Sequence, residues 1–146
     1  NLENWWTDDD RAAFEALTKR LIEQYSAYEP LPGRKVKGDF TLGENIADLS
    51  GLAVSYKAFQ LAKGGKEPEK VQGWTANQLF FVGWSRVWQR KYRDDELVRR
   101  LLTDPHSPSR YRANGPVSNL DAFYDAFEVK EGDTLWKPQK ERIRIW

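Results

Sequence analysis

Glu44 and Asp48 stand four residues apart in Glu44-Asn45-Ile46-Ala47-Asp48, a spacing that sets both carboxylates on one face of a helix. Such a pair can do metal chemistry. One carboxylate serves as a hard oxygen ligand, and the one behind it fixes the orientation of a neighbouring ligand. The same residues also fit a structural part. Glu44 is the third residue after Thr41, the position of the Glu in a capping box, and acids near a helix start are favoured by its dipole. Two carboxylates alone do not make a zinc site. The second group of interest is His106, the only His of the chain, set in Asp104-Pro105-His106-Ser107-Pro108. Flanking prolines restrict its backbone, and Asp104 is near enough to hydrogen-bond the ring and orient it as a donor. Six residues on, Arg112 offers a planar fork suited to a carbonyl or a carboxylate. An exposed loop His and a structural Arg are the plainer alternative.

Composition narrows the chemistry. The 146 residues hold 23 Lys plus Arg against 22 Asp plus Glu, with no Cys and no Met. Without Cys there is no disulfide, thiolate metal site or cysteine nucleophile, and one His cannot form a multi-histidine site within this chain. A net charge of +1 argues against a polyanion partner and against a charge-driven disordered tail. Trp and Arg alternate through residues 84–93 in a manner that could suggest base stacking, but helical periodicity places them on different faces, which argues against nucleic acid. Gly43 and Gly51 lack the spacing of a phosphate loop. The longest apolar run, Leu79 to Trp84, is far short of the roughly 20 residues a membrane span needs. Ribosomal synthesis starts with Met, so its absence predicts a processed product or an excised fragment. No signal sequence is visible at Asn1.

Five helices are expected to position these groups. Thr7 with Asp10 opens the first, which runs from about residue 8 to Tyr28 on the apolar spacing Phe14, Leu17, Leu21, Tyr25 and stops at Pro30 and Pro32. Residues 34–40 read as a connector or short extended piece. Thr41 caps a second helix that ends at Gly64-Gly65. After a polar loop, Thr75 caps a third, with Trp84 and Trp88 on its buried stripe and Arg86, Arg90 and Arg93 on a solvated face. Asp94-Asp95-Glu96 opens a fourth, through Leu102. Residues 103–119 carry three Pro and one Gly and are expected as an irregular ordered loop, of a length that often serves function. Ser118 or Asn119 then caps a fifth helix through Phe127, and the tail from Glu131 reads as irregular. The length fits one domain spanning 1–146.

In combination and in order, several blocks resemble the neprilysin and endothelin-converting-enzyme family: Asn4-Trp5-Trp6-Thr7; Thr41-Leu42-Gly43-Glu44-Asn45-Ile46-Ala47-Asp48-Leu49-Ser50-Gly51-Leu52; Gln78-Leu79-Phe80-Phe81; Asp104-Pro105-His106-Ser107-Pro108 with Arg112 and Asn114-Gly115-Pro116; and the closing Trp146. The resemblance implies a mainly α fold, the helical C-terminal part of a thermolysin-like (gluzincin) metallopeptidase catalytic domain with long ordered loops. It implies zinc-dependent cleavage of oligopeptides. Glu44 would be the third zinc ligand, and Asp48 the group that orients a zinc-bound His. His106, with Asp104 behind it, would stabilise the oxyanion of the tetrahedral intermediate, and Arg112 would bind the substrate's backbone carbonyl.

The family's His-Glu-x-x-His helix, which brings two ligands and the general base, is absent from this sequence and by resemblance lies upstream of Asn1. The fragment alone is therefore expected to hold zinc weakly or not at all, to be inactive, and to need the missing N-terminal part of the same protein. Self-association of the fragment is a further expectation. Vertebrate relatives carry Cys at positions that here read Arg20, Gln89, Val129 and Ile143, so a cysteine-free member looks bacterial. Its place would be extracytoplasmic, either periplasmic or secreted, with a membrane anchor conceivable only through the missing N-terminus. The alternative function is a non-catalytic helical module, derived from the same family, that binds peptides or oligomerises.

Overall fold

The computed structural model describes residues 5–145; Asn4 and Trp146, both part of the family resemblance, lie outside the described residues. Six α-helices follow one another: α1 (Asp8–Ser26), α2 (Leu42–Lys63), α3 (Ala76–Val87), α4 (Asp94–Thr103), α5 (Ser109–Val117) and α6 (Asp121–Phe127), before a 3-10 turn at Gln139–Glu141. Among the described residues β structure is limited to two isolated bridges, Leu31 with Arg34 and Val71 with Trp74. The architecture is the mainly helical one expected.

Where local chemistry is strong, the helices start where the sequence says. Thr7 Oγ1 accepts from the Asp10 amide at 3.1 Å, and three acids in the first turn of α1 suit its dipole. Thr75 and Gln78 close a full capping box at the start of α3. Gly64 ends α2 in the left-handed region at φ 59°. α1 stops at Ser26, two residues short of the expected Tyr28.

Four expectations are corrected. Thr41 flanks α2 but does not cap it: its hydroxyl donates to Lys37 O at 3.1 Å and accepts from Asn45 Nδ2 at 2.9 Å. Glu44 is thereby released from the capping box. α3 ends at Val87, where the Trp88 amide turns back to Ser85 and Arg86 carbonyls, so Arg90 and Arg93 lie beyond the helix and share no face of it. The supposed loop at 103–119 contains α5. Pro108 precedes that helix and Pro116 falls in its last turn, where few backbone bonds are lost. Its periodicity was illegible because Ser109, Tyr111, Gly115, Pro116 and Val117 are all buried, leaving no solvated stripe to contrast. Finally, neither Ser118 nor Asn119 caps α6. Asn119 Nδ2 donates to Gln24 Oε1 and Gly115 O, both at 3.0 Å, while its Oδ1 accepts from the Ile143 amide at 3.0 Å.

Packing explains why the tail is ordered. α2 lies against α1 and α5, and α3 against α5 and α6. Leu21, Tyr25, Val36, Leu49, Tyr111, Ile143 and Ile145 form one buried cluster, and Leu52, Phe81 and Val117 a second. The tail thus supplies Ile143 and Ile145 to the core. Arg142 clamps it by pairing with Asp121 at 2.7 Å and lying 3.4 Å from the centre of the Tyr124 ring.

Gly115 lets α5 approach α1. A Cβ there would meet Tyr25 Oη at 2.4 Å and Cζ at 2.7 Å, and Tyr25 is fully buried. Gly115→Ala should therefore lower stability by about 1–3 kcal/mol in urea unfolding. An unchanged midpoint would show that Tyr25 yields without strain.

Candidate active site

Three elements meet at the site: the first turns of α2, the loop between α4 and α5, and α5 itself. Release of Glu44 from capping leaves its carboxylate directed to the loop, where Glu44 Oε2 lies 3.0 Å from His106 Nε2. The other ring nitrogen, Nδ1, lies 2.7 Å from Asp104 Oδ1, the contact that the spacing suggested. Asp104 also accepts from the His106 amide at 3.0 Å and from Arg100 Nη1 at 2.7 Å. Burial works against the charged Asp104, but hydrogen bonds from His106, with the nearby His106 and Arg100 charges, hold its carboxyl below the usual range.

Behind this row sits a buried pair. Arg112 Nε reaches Asp48 Oδ2 at 2.6 Å and its Nη2 reaches Oδ1 at 2.7 Å, a bidentate fork. The guanidinium also stacks 4.2 Å from the centre of the Trp88 ring. Burial alone would lower the Arg112 pKa, yet bonding and charge from Asp48, then the charge of Glu44, raise it. Side-chain exposure separates the two rows: 8% for Asp48 and 17% for Arg112, against 41% for Glu44 and 42% for His106. They touch where Arg112 Nη2 lies 3.9 Å from Glu44 Oε2.

All five residues singled out in the sequence are thus brought together. Glu44 offers one hard oxygen ligand on an open face. Among the described residues there is no cluster of three or more metal-binding side chains, so a metal held by Glu44 needs further ligands from outside this stretch. Arg112 spends two of its donor groups on Asp48, and among the described residues its Nη1 makes no hydrogen bond.

Three supporting residues, Asn45, Ser107 and Trp88, stand out little in the sequence. Asn45 is 1% exposed, and its Oδ1 accepts from Ser107 Oγ at 2.8 Å, pinning the His106 loop to α2. The spacing of Thr41 and Asn45, one helical turn, was the available signal for the first of these. Trp88 gave none, because its stacking on Arg112 depends on where α3 stops.

Removing Asp48 strands a partly buried cation. Asp48→Ala should cost about 3 kcal/mol, whereas the double variant with Arg112→Leu should lose less than the sum of the single variants. Additive losses in thermal or urea unfolding would mean that the two residues act independently.

Comparison with known proteins gives the family. The pattern of Peptidase family M13 matches residues 1–143. Endothelin-converting enzyme 1 of Homo sapiens is 41% identical over an alignment covering 100% of this chain and 19% of that protein. Neprilysin-3 of Drosophila melanogaster is 35% identical, again over 100% of this chain and 19% of the relative. Among solved structures, the Mycobacterium tuberculosis zinc metalloprotease Zmp1 in complex with an inhibitor superposes with a TM-score of 0.97 at 50% identity, covering 100% of this chain and 23% of that one. PepO of Lactobacillus rhamnosis superposes at 0.81 with 36% identity, covering 98% and 21%. The chain spans about a fifth of the length of the curated relatives it matches. With the family pattern matched across nearly all of its residues, the chain belongs to Peptidase family M13.

Proposed function

We propose that this chain is the part of a zinc-dependent endopeptidase that supplies the third metal ligand and the donors facing the reacting peptide. The observation that carries this reading is the convergence of Glu44, His106 and Arg112 on one face, with Glu44 Oε2 3.0 Å from His106 Nε2 and 3.9 Å from Arg112 Nη2. Family membership and the 50% identity to a mycobacterial zinc metalloprotease support it.

Glu44 would hold the metal together with the two His of a His-Glu-x-x-His segment that this sequence lacks, whose Glu would be the catalytic base. Zinc, when bound, acts as a Lewis acid that polarises a water and the peptide carbonyl. The chain's own residues do the rest. His106, oriented by Asp104, donates to the oxygen on which charge develops. Arg112 is held rigid by Asp48 and Trp88 and presents Nη1 to a substrate carbonyl. Asp48 keeps lone-pair capacity beyond its two Arg112 bonds, enough to accept from a zinc-bound His.

On this reading the substrate is an oligopeptide, the chain is one domain's C-terminal part that is inactive alone, and its essential partner is the remainder of the protein. We place that protein in a bacterium and outside the cytoplasm, a reading supported by the mycobacterial relative and the absence of Cys. No helix of the described residues is long and apolar enough to cross a membrane. Exposed apolar side chains, Val54 at 66% and Leu61 at 73% on α2, favour a surface that other protein covers, whether the rest of the chain or a second copy. Light scattering on the isolated chain tests the second case: concentration-dependent association is expected, and a monomer at high concentration excludes it.

In the full-length protein, Glu44→Ala should abolish peptide hydrolysis and remove most of about one bound zinc. Retained zinc and activity would sink the ligand assignment. His106→Ala should lower kcat by about 100-fold or more with little change in KM, as for loss of one oxyanion donor. A change confined to KM would make His106 a binding residue instead.

A further inference from the structure

α5 has a second working face. Arg110 and Asn114 project about half a turn away from Arg112, and with Tyr28, Ser118, Trp136 and Lys137 they line a cavity of about 220 Å³. Nothing in the proposed peptidase chemistry uses it.

Lys137 is the unusual member. Its backbone is fixed on both sides, the amide donating to Tyr124 Oη at 2.9 Å and the carbonyl accepting from Arg142 Nε at 3.3 Å and Nη2 at 3.2 Å. The side chain is half-buried, yet among the described residues its ammonium makes one long bond, 3.4 Å to Asn119 Oδ1, and that oxygen already takes the Ile143 amide at 3.0 Å. An ammonium has three donors. Among the described residues no carboxylate lies within ion-pair reach of Lys137 or of Arg110. The charges that act on Lys137 oppose one another, Glu141 from the 3-10 turn and Arg20 from α1. Beside it, Tyr28 and Tyr111 stack at 4.4 Å with their planes 11° apart. Residues with unused cationic donors and residues with aromatic rings thus line one recess, the make-up of a site that orients an apolar ligand by one polar group.

We propose that this cavity binds a small carboxylate carrying an aromatic or branched apolar body. The carboxylate takes the unused Lys137 donors, Arg110 supports it from the rim, and the body lies against Tyr28 and Trp136. Burial pushes the free Lys137 amine down to about 8, and an adjacent carboxylate favours its charged form. Binding near pH 8 therefore takes up a proton and weakens as pH rises further.

Calorimetry on the full-length protein with benzoate, N-acetylphenylalanine and N-acetylphenylalaninamide tests this, using buffers of different ionisation enthalpy near pH 8. Both acids should bind, at least tenfold tighter than the amide, with net proton uptake. Lys137→Met should remove that binding and Glu44→Gln should leave it intact. Tighter binding of N-acetylphenylalanine would assign the occupant to a peptide terminus, and tighter benzoate to a free aromatic acid; either supports a carboxylate site. Equal affinity for acid and amide would overturn the proposal, as would binding that survives Lys137→Met or is lost in Glu44→Gln. Should Lys137→Met fail to fold, Lys137→Gln takes its place, and acid binding that survives Lys137→Gln overturns the proposal equally.

Discussion

The bidentate bond between Arg112 and Asp48 joins α5 to α2, and the rest of the site is built outward from it. Both side chains are largely buried, so each depends on the other: breaking such a pair strands a charge, at a cost of about 3–5 kcal/mol. Trp88 covers one face of the guanidinium, which ties in the end of α3. Three helices are thereby held by one planar cation. The second tie is Asn45 to Ser107, which fixes the His106 loop over the same turn of α2.

The outer row obeys different energetics. Glu44 and His106 are each about two-fifths exposed, and a pair in that environment contributes about 0–1 kcal/mol. Their contact is cheap to exchange. On the proposed reading Glu44 turns to a metal and His106 to a substrate, which calls for that property, whereas Arg112 calls for the reverse. The split between a rigid inner pair and an open outer pair is what makes the arrangement suited to chemistry as well as to packing.

Much of this was legible in the residues. Thr7 with Asp10, Thr75 with Gln78, and Gly64 each act within one turn of chain, and the helix ends follow them. The five site residues were also visible, because carboxylate spacing and the Asp104 to His106 loop are local. What the chain hid was decided mostly by distant contacts. Thr41 looks like a cap, but its hydroxyl serves Lys37 and Asn45. α5 looks like a loop, since two prolines and a glycine mask a helix buried on most sides, and its Gly115 reads as a breaker when it is a contact point for Tyr25. Asn119 looks like a cap for α6 and instead joins α1, α5 and the tail. For α5 and Asn119 tertiary hydrogen bonding or packing outweighs a local preference of about 1 kcal/mol, whereas Thr41 is diverted by bonds to residues four positions away on either side.

On the proposed reading Glu44 is a zinc ligand, and the Asp48 and Arg112 pair holds its helix in place. Anomalous diffraction at the zinc edge from crystals of the full-length protein tests it most directly. One zinc is expected, with a Glu44 carboxylate oxygen at about 2.0–2.2 Å. A zinc fully ligated by other residues, with Glu44 still bonded to His106, would contradict it.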